Sequence, residues 1–346
     1  MNNIICKKFN QINLADSFFD SLKNDYSGFA DWFAKKGEQD AYVQYDSAHL
    51  SGFLYLKMEY NEVDDVVPTI KAKKILKVGT FKIEAHGTKM GEQFIKVITD
   101  YAVNENVDLC YVTIFPKHDT LISLVQEYGF DLYGTKGDGV HKENVYVKQM
   151  KKITGDIYKD FPCIRVDGAR KYLLSIHPRY HSVMFPDSIL TTEDKGIITD
   201  ISYTNSINKI YVCSMEGVEY LKYGDIVVLY RTAETGKNAE YSSVATSICV
   251  VEDVKMQKEF DSFESFYRYS CKYSVFDKED LRRWYNRGNC KAIKMTYNAA
   301  LGKRIVRHDL IEDIGLRRNG YWGFFRLTNS QFDQILVKGK VKSIMI

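Results

Sequence analysis

Ile83-Glu-Ala-His-Gly-Thr-Lys-Met-Gly-Glu-Gln-Phe-Ile-Lys-Val-Ile98 decides how the first half of this chain is read. It follows a β-branched and aromatic run at 76–83 and reads as strand, tight glycine turn and helix. Met90, Phe94, Val97, Ile98 and Tyr101 recur at helical spacing, which starts the helix near Lys89. Gly87 and Gly91 let the backbone approach a ligand closely, and the first free N–H groups of the helix point at whatever sits there. With the positive end of the helix dipole, that geometry suits a phosphate or pyrophosphate.

Downstream, Val107-Asp-Leu-Cys-Tyr-Val-Thr-Ile-Phe115 is a second strand. Pro116-Lys-His-Asp119 opens a helix with apolar positions at Leu121, Leu124, Val125 and Tyr128, and Gly129-Phe130 ends it. Upstream, the apolar residues between 16 and 36 suggest one or two amphipathic helices, broken near Asp25-Tyr-Ser-Gly28. Residues 41–45 and 52–60 then form a hairpin.

This order resembles the GNAT N-acetyltransferase superfamily over residues 15–150: an α/β (α+β) fold whose phosphate loop carries the motif Gln/Arg-x-x-Gly-x-Gly/Ala. Here His86 stands at the Gln/Arg position, Lys89 at the first glycine and Gly91 at the second, so one position of three matches strictly. The resemblance implies acetyl-CoA as cofactor. Its pantetheine arm would pair with the main chain of Gly79, Thr80, Phe81 and Lys82. Its pyrophosphate would lie on His86, Gly87, Thr88, Lys89, Met90 and Gly91, where the lysine pairs with it directly. The family's usual helix tyrosine is Val125 here, which leaves Tyr128 as the nearest substitute for the acid. Glu59, at a strand end, is the expected base, and His118 a further acid or base near neutral pH.

The second half has a different texture. Residues 1–150 hold 17 Lys, no Arg and 21 acidic residues; residues 151–346 hold 18 Lys, 13 Arg and 24 acidic residues. A break this sharp argues for two domains with different partners, since arginine favours bidentate phosphate contacts and stacking on bases. Leu-Leu-Ser-Ile-x-Pro at 173–178, Gly-Asp-x-Val-x-Leu-Tyr at 224–230 and Gly-Phe-Phe-Arg-Leu-Thr at 323–328 resemble the PUA-like superfamily, which includes ASCH and EVE domains. That resemblance implies a small curved β-barrel, and many members bind RNA or modified bases. The ASCH segment Gly-x-Lys-x-x-Glu-x-Arg is absent after the first helix, which argues against a hydrolytic role. Arg179, Arg282, Arg283, Arg317, Arg318 and Trp322 place cations beside aromatics and are the expected nucleic-acid contacts. His177 and His181 are four apart, but two ligands make no zinc site, and both are read as structural.

The expected organisation is an acetyltransferase domain at 1–150, a polar linker at 151–163 and a PUA-like domain at 164–346. Scattered cysteines, seven in number, and no apolar run of about 18 residues point to a reduced cytoplasmic protein that spans no membrane. The function that fits best is acetyl-CoA-dependent N-acetylation, with the second domain recruiting RNA or a ribonucleoprotein. The alternatives are an inactive, nucleic-acid-binding regulator and a small-molecule acetyltransferase with a structural second domain.

Overall fold

The strand expected before the glycine turn is the central one of a seven-stranded sheet. The structure, a computed structural model, describes residues 4–46, 48–84, 89–185 and 206–341. It divides into two compact units, Met1–Lys152 and Ile153–Ile346. In the first unit β1 (Ile5–Lys8), α1 (Asp20–Asp25), α2 (Phe29–Lys35), β2 (Asp40–Asp46), β3 (His49–Val63), β4 (Ile70–Ile83) and α3 (Met90–Glu105) are followed by β5 (Leu109–Ile114), α4 (Asp119–Glu127), β6 (Asp131–Lys136) and β7 (Glu143–Gln149). The strand order is β1-β2-β3-β4-β5-β7-β6. Every neighbouring pair is antiparallel except β4 and β5.

The two faces of this sheet are set by alternation along β3. Phe53 and Tyr55 face the aromatic cluster of Phe9, Phe18, Phe19, Phe29 and Phe33, carried largely by the α1 and α2 region. The opposite face takes α3, where Phe81 and Phe94 lie 5.7 Å apart between ring centres. A side chain at Gly52 would meet the Phe94 ring at 2.4 Å, so glycine there permits the helix to seat. The helix ends follow local chemistry: α3 stops at Asn106 in the left-handed region, and Gly129 (φ 81°) follows α4.

The second unit carries α5 (Ile157–Asp160), β8 (Lys171–Ile176), α6 (Pro178–Met184), β9 (Asn208–Cys213), β10 (Ile226–Arg231), α7 (Ala239–Ser242), β11 (Val244–Met256), α8 (Phe263–Ser270), α9 (Lys278–Asn286), β12 (Lys291–Val306), α10 (Arg307–Glu312), β13 (Phe324–Leu327) and α11 (Asn329–Lys338). Its six strands run β13-β8-β10-β11-β12-β9, with β8 and β10 parallel. Irregular register at three places in the long β11–β12 pair bends it. Among the described residues β13 and β9 remain edges, so the sheet is curved but open where a closed barrel was expected.

Most of the stretch expected as a linker, from Thr154 onward, is folded. Asp160, 6% exposed, accepts hydrogen bonds from Thr154 and Gly155, and Phe161 is fully buried. Tyr158 donates to Asn208 at 2.7 Å. The polar residues that suggested a solvated connection are making turns and caps instead.

Candidate functional site

β4 and β5 pair in parallel from Ile75↔Leu109 to Val78↔Val112 and no further. Beyond that point β4 continues against β3, and β5 continues against β7. The strands part, and the edges of both that face the gap lose their partner. At the same place β4 carries a bulge: Val78 pairs with Leu56 and Thr80 with Tyr55, which leaves Gly79 as the extra residue. The bulge keeps Lys77 and Thr80 on one face, although they are three apart. A Cβ on Gly79 would come within 2.8 Å of the Tyr55 ring. A larger residue here must push the Tyr55 ring aside.

The gap opens into a cleft of about 890 Å³. Gly79, Thr80 and Phe81 line it from β4, and Val112, Thr113, Ile114 and Phe115 line it from β5 and just beyond. Tyr26 and Trp32 lie on another wall, and Glu143 at the start of β7 closes that end. Tyr26 donates a hydrogen bond to Glu143 at 2.5 Å, and its ring is 5.2 Å from Phe115. Burial, and then the Glu143 carboxylate, push the Tyr26 phenol far above its ordinary value. It therefore remains a neutral donor.

Of the expected site residues, Gly79, Thr80 and Phe81 lie in the cleft, and so does His118. His118 precedes α4 without a side-chain cap bond, and its Nε2 is 3.6 Å from Asp25, another cleft residue. Lys82 is turned to Glu84 at 2.8 Å and to the Phe18 ring at 4.5 Å, so only its main chain suits the expected role. Lys89 caps α3, and Met90 and Gly91 form its first turn. A Cβ on Gly91 would meet the Leu124 side chain of α4 at 2.7 Å, so glycine there lets α3 pack closely on α4. His86, Gly87 and Thr88 lie outside the described residues.

Two expected catalytic groups are displaced. Tyr128 is 2% exposed and is not among the cleft residues, so its hydroxyl does not reach the gap. Glu59 is also absent from the cleft lining; it accepts from Lys57 at 2.7 Å and Tyr111 at 2.6 Å. Burial pushes its carboxyl up, but those two bonds together with the charges of Lys77 and Lys57 outweigh it and hold the group below the usual carboxylate range. That is the wrong direction for a base. The sequence reading missed Tyr26, Glu143 and Lys77. The first stands in the helix break already noted at 25–28, and the last is a charge inside the apolar run Ile75-Leu-Lys-Val78.

In the second unit the expected nucleic-acid residues fall in three places: Arg179 on α6, Arg282 and Arg283 on α9, and Arg317, Arg318 and Trp322 between α10 and β13. Arg318 is held by Glu240 at 2.7 and 2.8 Å and by Glu312. Trp322 is half-buried, with Tyr230 5.3 Å away and the Arg307 guanidinium 4.2 Å over its ring. Arg282 lies 4.2 Å over Phe263, and Arg283 pairs with Asp280. Arg179 and Arg317 are exposed. The engaged residues thus have structural duties that the sequence did not reveal. His177 caps α6 by accepting from the Arg179 N–H, and His181 is fully buried against Thr246 at 2.7 Å.

No family model matches the chain, and no curated protein matches it. Solved structures similar to it include an ASCH protein from Zymomonas mobilis, at 7% identity over 51% of this chain and 98% of that one, with a TM-score of 0.34. A probable acetyltransferase from Staphylococcus epidermidis is 13% identical over 44% of this chain and 100% of its own, with a TM-score of 0.31. Ard1 from Thermoplasma volcanium is 10% identical over 43% and 99%, with a TM-score of 0.33. At such values these likenesses carry no statement about activity. The strand order, the single parallel pair and its parting are what give the first unit the mixed α/β architecture that the acetyltransferase resemblance implied.

Proposed function

We propose that the chain is an acetyl-CoA-dependent N-acetyltransferase whose first unit holds the cofactor between β4 and β5. The observation that carries this is the parting of the strands after Val78 and Val112, coincident with the Gly79 bulge. An amide-rich arm laid along Gly79–Phe81 would complete the pairing that β5 abandons. The thioester then lies at the apex, beside Thr80 and Thr113, and the acceptor amine enters from the side of Tyr26 and Glu143. Glu143, fixed by Tyr26, and His118, beside Asp25, are the groups placed to take the amine's proton. The reaction needs no covalent enzyme intermediate: the amine attacks, the C–S bond breaks and CoA leaves as the thiol. Calorimetry with acetyl-CoA tests the binding half. Mass spectrometry of protein and nucleic acid after incubation with labelled acetyl-CoA tests the transfer.

For the second unit the proposal is recruitment of the acceptor, with RNA or a ribonucleoprotein as partner in a cytoplasmic setting. The exposed Arg179 and Arg317 support it. A catalytically inactive GNAT module is the second reading, favoured by the burial of Tyr128 away from the cleft. Turnover of any amine with acetyl-CoA would remove that reading.

A further inference from the structure

Lys77 stands one residue before the last pair that joins β4 to β5. It lines the cleft, and its register partners Lys57 and Tyr111 put it on the face that also carries Thr80. Its Nζ lies 5.4 Å from the centre of the Tyr111 ring. Two other cleft lysines are neutralised by acids: Lys57 pairs with Glu59 at 2.7 Å, and Lys136 pairs with Asp65. Among the described residues Lys77 makes no such ion pair. Burial lowers its basicity, and the nearby Lys136 lowers it further, against opposing pulls from Glu59 and Asp65. A larger share of this amine is therefore neutral and nucleophilic than for an exposed lysine.

We propose that Lys77 is itself an acetyl acceptor, modified in cis by acetyl-CoA bound in the cleft beside it. The inference rests on the acetyltransferase reading above. The Nζ lone pair attacks the thioester carbonyl, the N–C bond forms as the C–S bond breaks, and the amine's proton ends on the CoA thiol. The product is an uncharged amide at the base of the cleft, which removes the ammonium that stands beside Lys136. A charged lysine and an acetylated one give the acceptor side two different floors.

The test uses the full chain with isotope-labelled acetyl-CoA, digested and read by mass spectrometry over time. Lys71 and Lys73, exposed on the same strand, report background chemical acetylation. Lys77 should gain label at least about tenfold faster than either, because the reacting groups are held together. The rate per molecule should not change with protein concentration, and excess unlabelled CoA should suppress labelling of Lys77 alone. Lys77→Arg should remove the label from that peptide. If calorimetry shows acetyl-CoA bound while Lys77 is labelled no faster than Lys71, this inference is overturned and the acetyltransferase reading stands. If acetyl-CoA does not bind, that reading falls first, and the inference falls with it.

Discussion

Tyr26 and Glu143, 117 residues apart, share a hydrogen bond of 2.5 Å at one end of the cleft. The bond ties the break between α1 and α2 to the first residue of β7, and so fixes a carboxylate where an acceptor amine would enter. Glu143→Gln should therefore lower kcat by about 100-fold or more, the usual contribution of one proton-transfer group. Tyr26→Phe should lower it less and cost about 1 kcal/mol of stability, since the bond is partly open to water. Steady-state kinetics and denaturant melts of the two variants separate these effects. Full activity in Glu143→Gln would transfer the proton-accepting role to His118.

Gly79 offers a sharper probe of the proposed cofactor path. An added Cβ must displace the Tyr55 ring, at a cost of about 1–3 kcal/mol, and flatten the bulge. Gly79→Ala is expected to stay folded and to weaken acetyl-CoA by about tenfold or more through lost alignment of the arm. Unchanged affinity by calorimetry in a folded variant would place the arm elsewhere.

The domain boundary is testable by limited proteolysis. We propose that cleavage falls at 151–153, and that 157–163 resists, because Ile157, Asp160 and Phe161 are buried within the second unit. Early cuts at 157–160 would mean that this segment detaches readily, as a linker would.

What the sequence disclosed and what it hid divide along contact range. The strand before the glycine turn, α3, β5, α4 and the stop at Gly129 were legible because periodicity and capping are local signals. The pair Tyr26–Glu143 was not, since nothing local marks two residues so distant. Tyr128 was misplaced for a related reason: its position is plain, but the side of the helix end on which it is buried depends on packing. Arg318 resembled a free phosphate ligand until Glu240, 78 residues away in sequence, was seen to hold it. Local chemistry is written along the chain. Partnership is not.

For the second unit we expect RNA to bind the full chain in a salt-dependent way, because each phosphate contact releases counterions. Arg317→Ala and Arg179→Ala should weaken binding and shallow the salt slope. Arg318→Ala should change binding little, since that guanidinium is already engaged by Glu240 and Glu312; Glu240 keeps His308 at 2.9 Å, and the lost pairs are exposed ones that add little stability. Filter binding across a salt series distinguishes the two classes. No association at low salt would remove RNA from the partners and favour the small-molecule acetyltransferase.

The fully buried His181 makes the second unit sensitive to acid. Burial, and then the charges of Arg231 and Arg304, lower its pKa from 6.5 to about 3. The unfolded chain binds a proton below about pH 6.5, whereas the folded chain refuses it until near pH 3. Stability from keeping this ring neutral is thus fully present above pH 6.5 and is lost as pH falls between those values. The loss between pH 7 and pH 5 should be about 2 kcal/mol from this residue. His181→Gln removes the titration and keeps a group able to reach Thr246, so its denaturation midpoint should fall less over the same interval. It should begin lower at pH 7, because the ring also packs 5.4 Å from Phe185. Parallel pH dependence in the two proteins would show that other groups control the acid response.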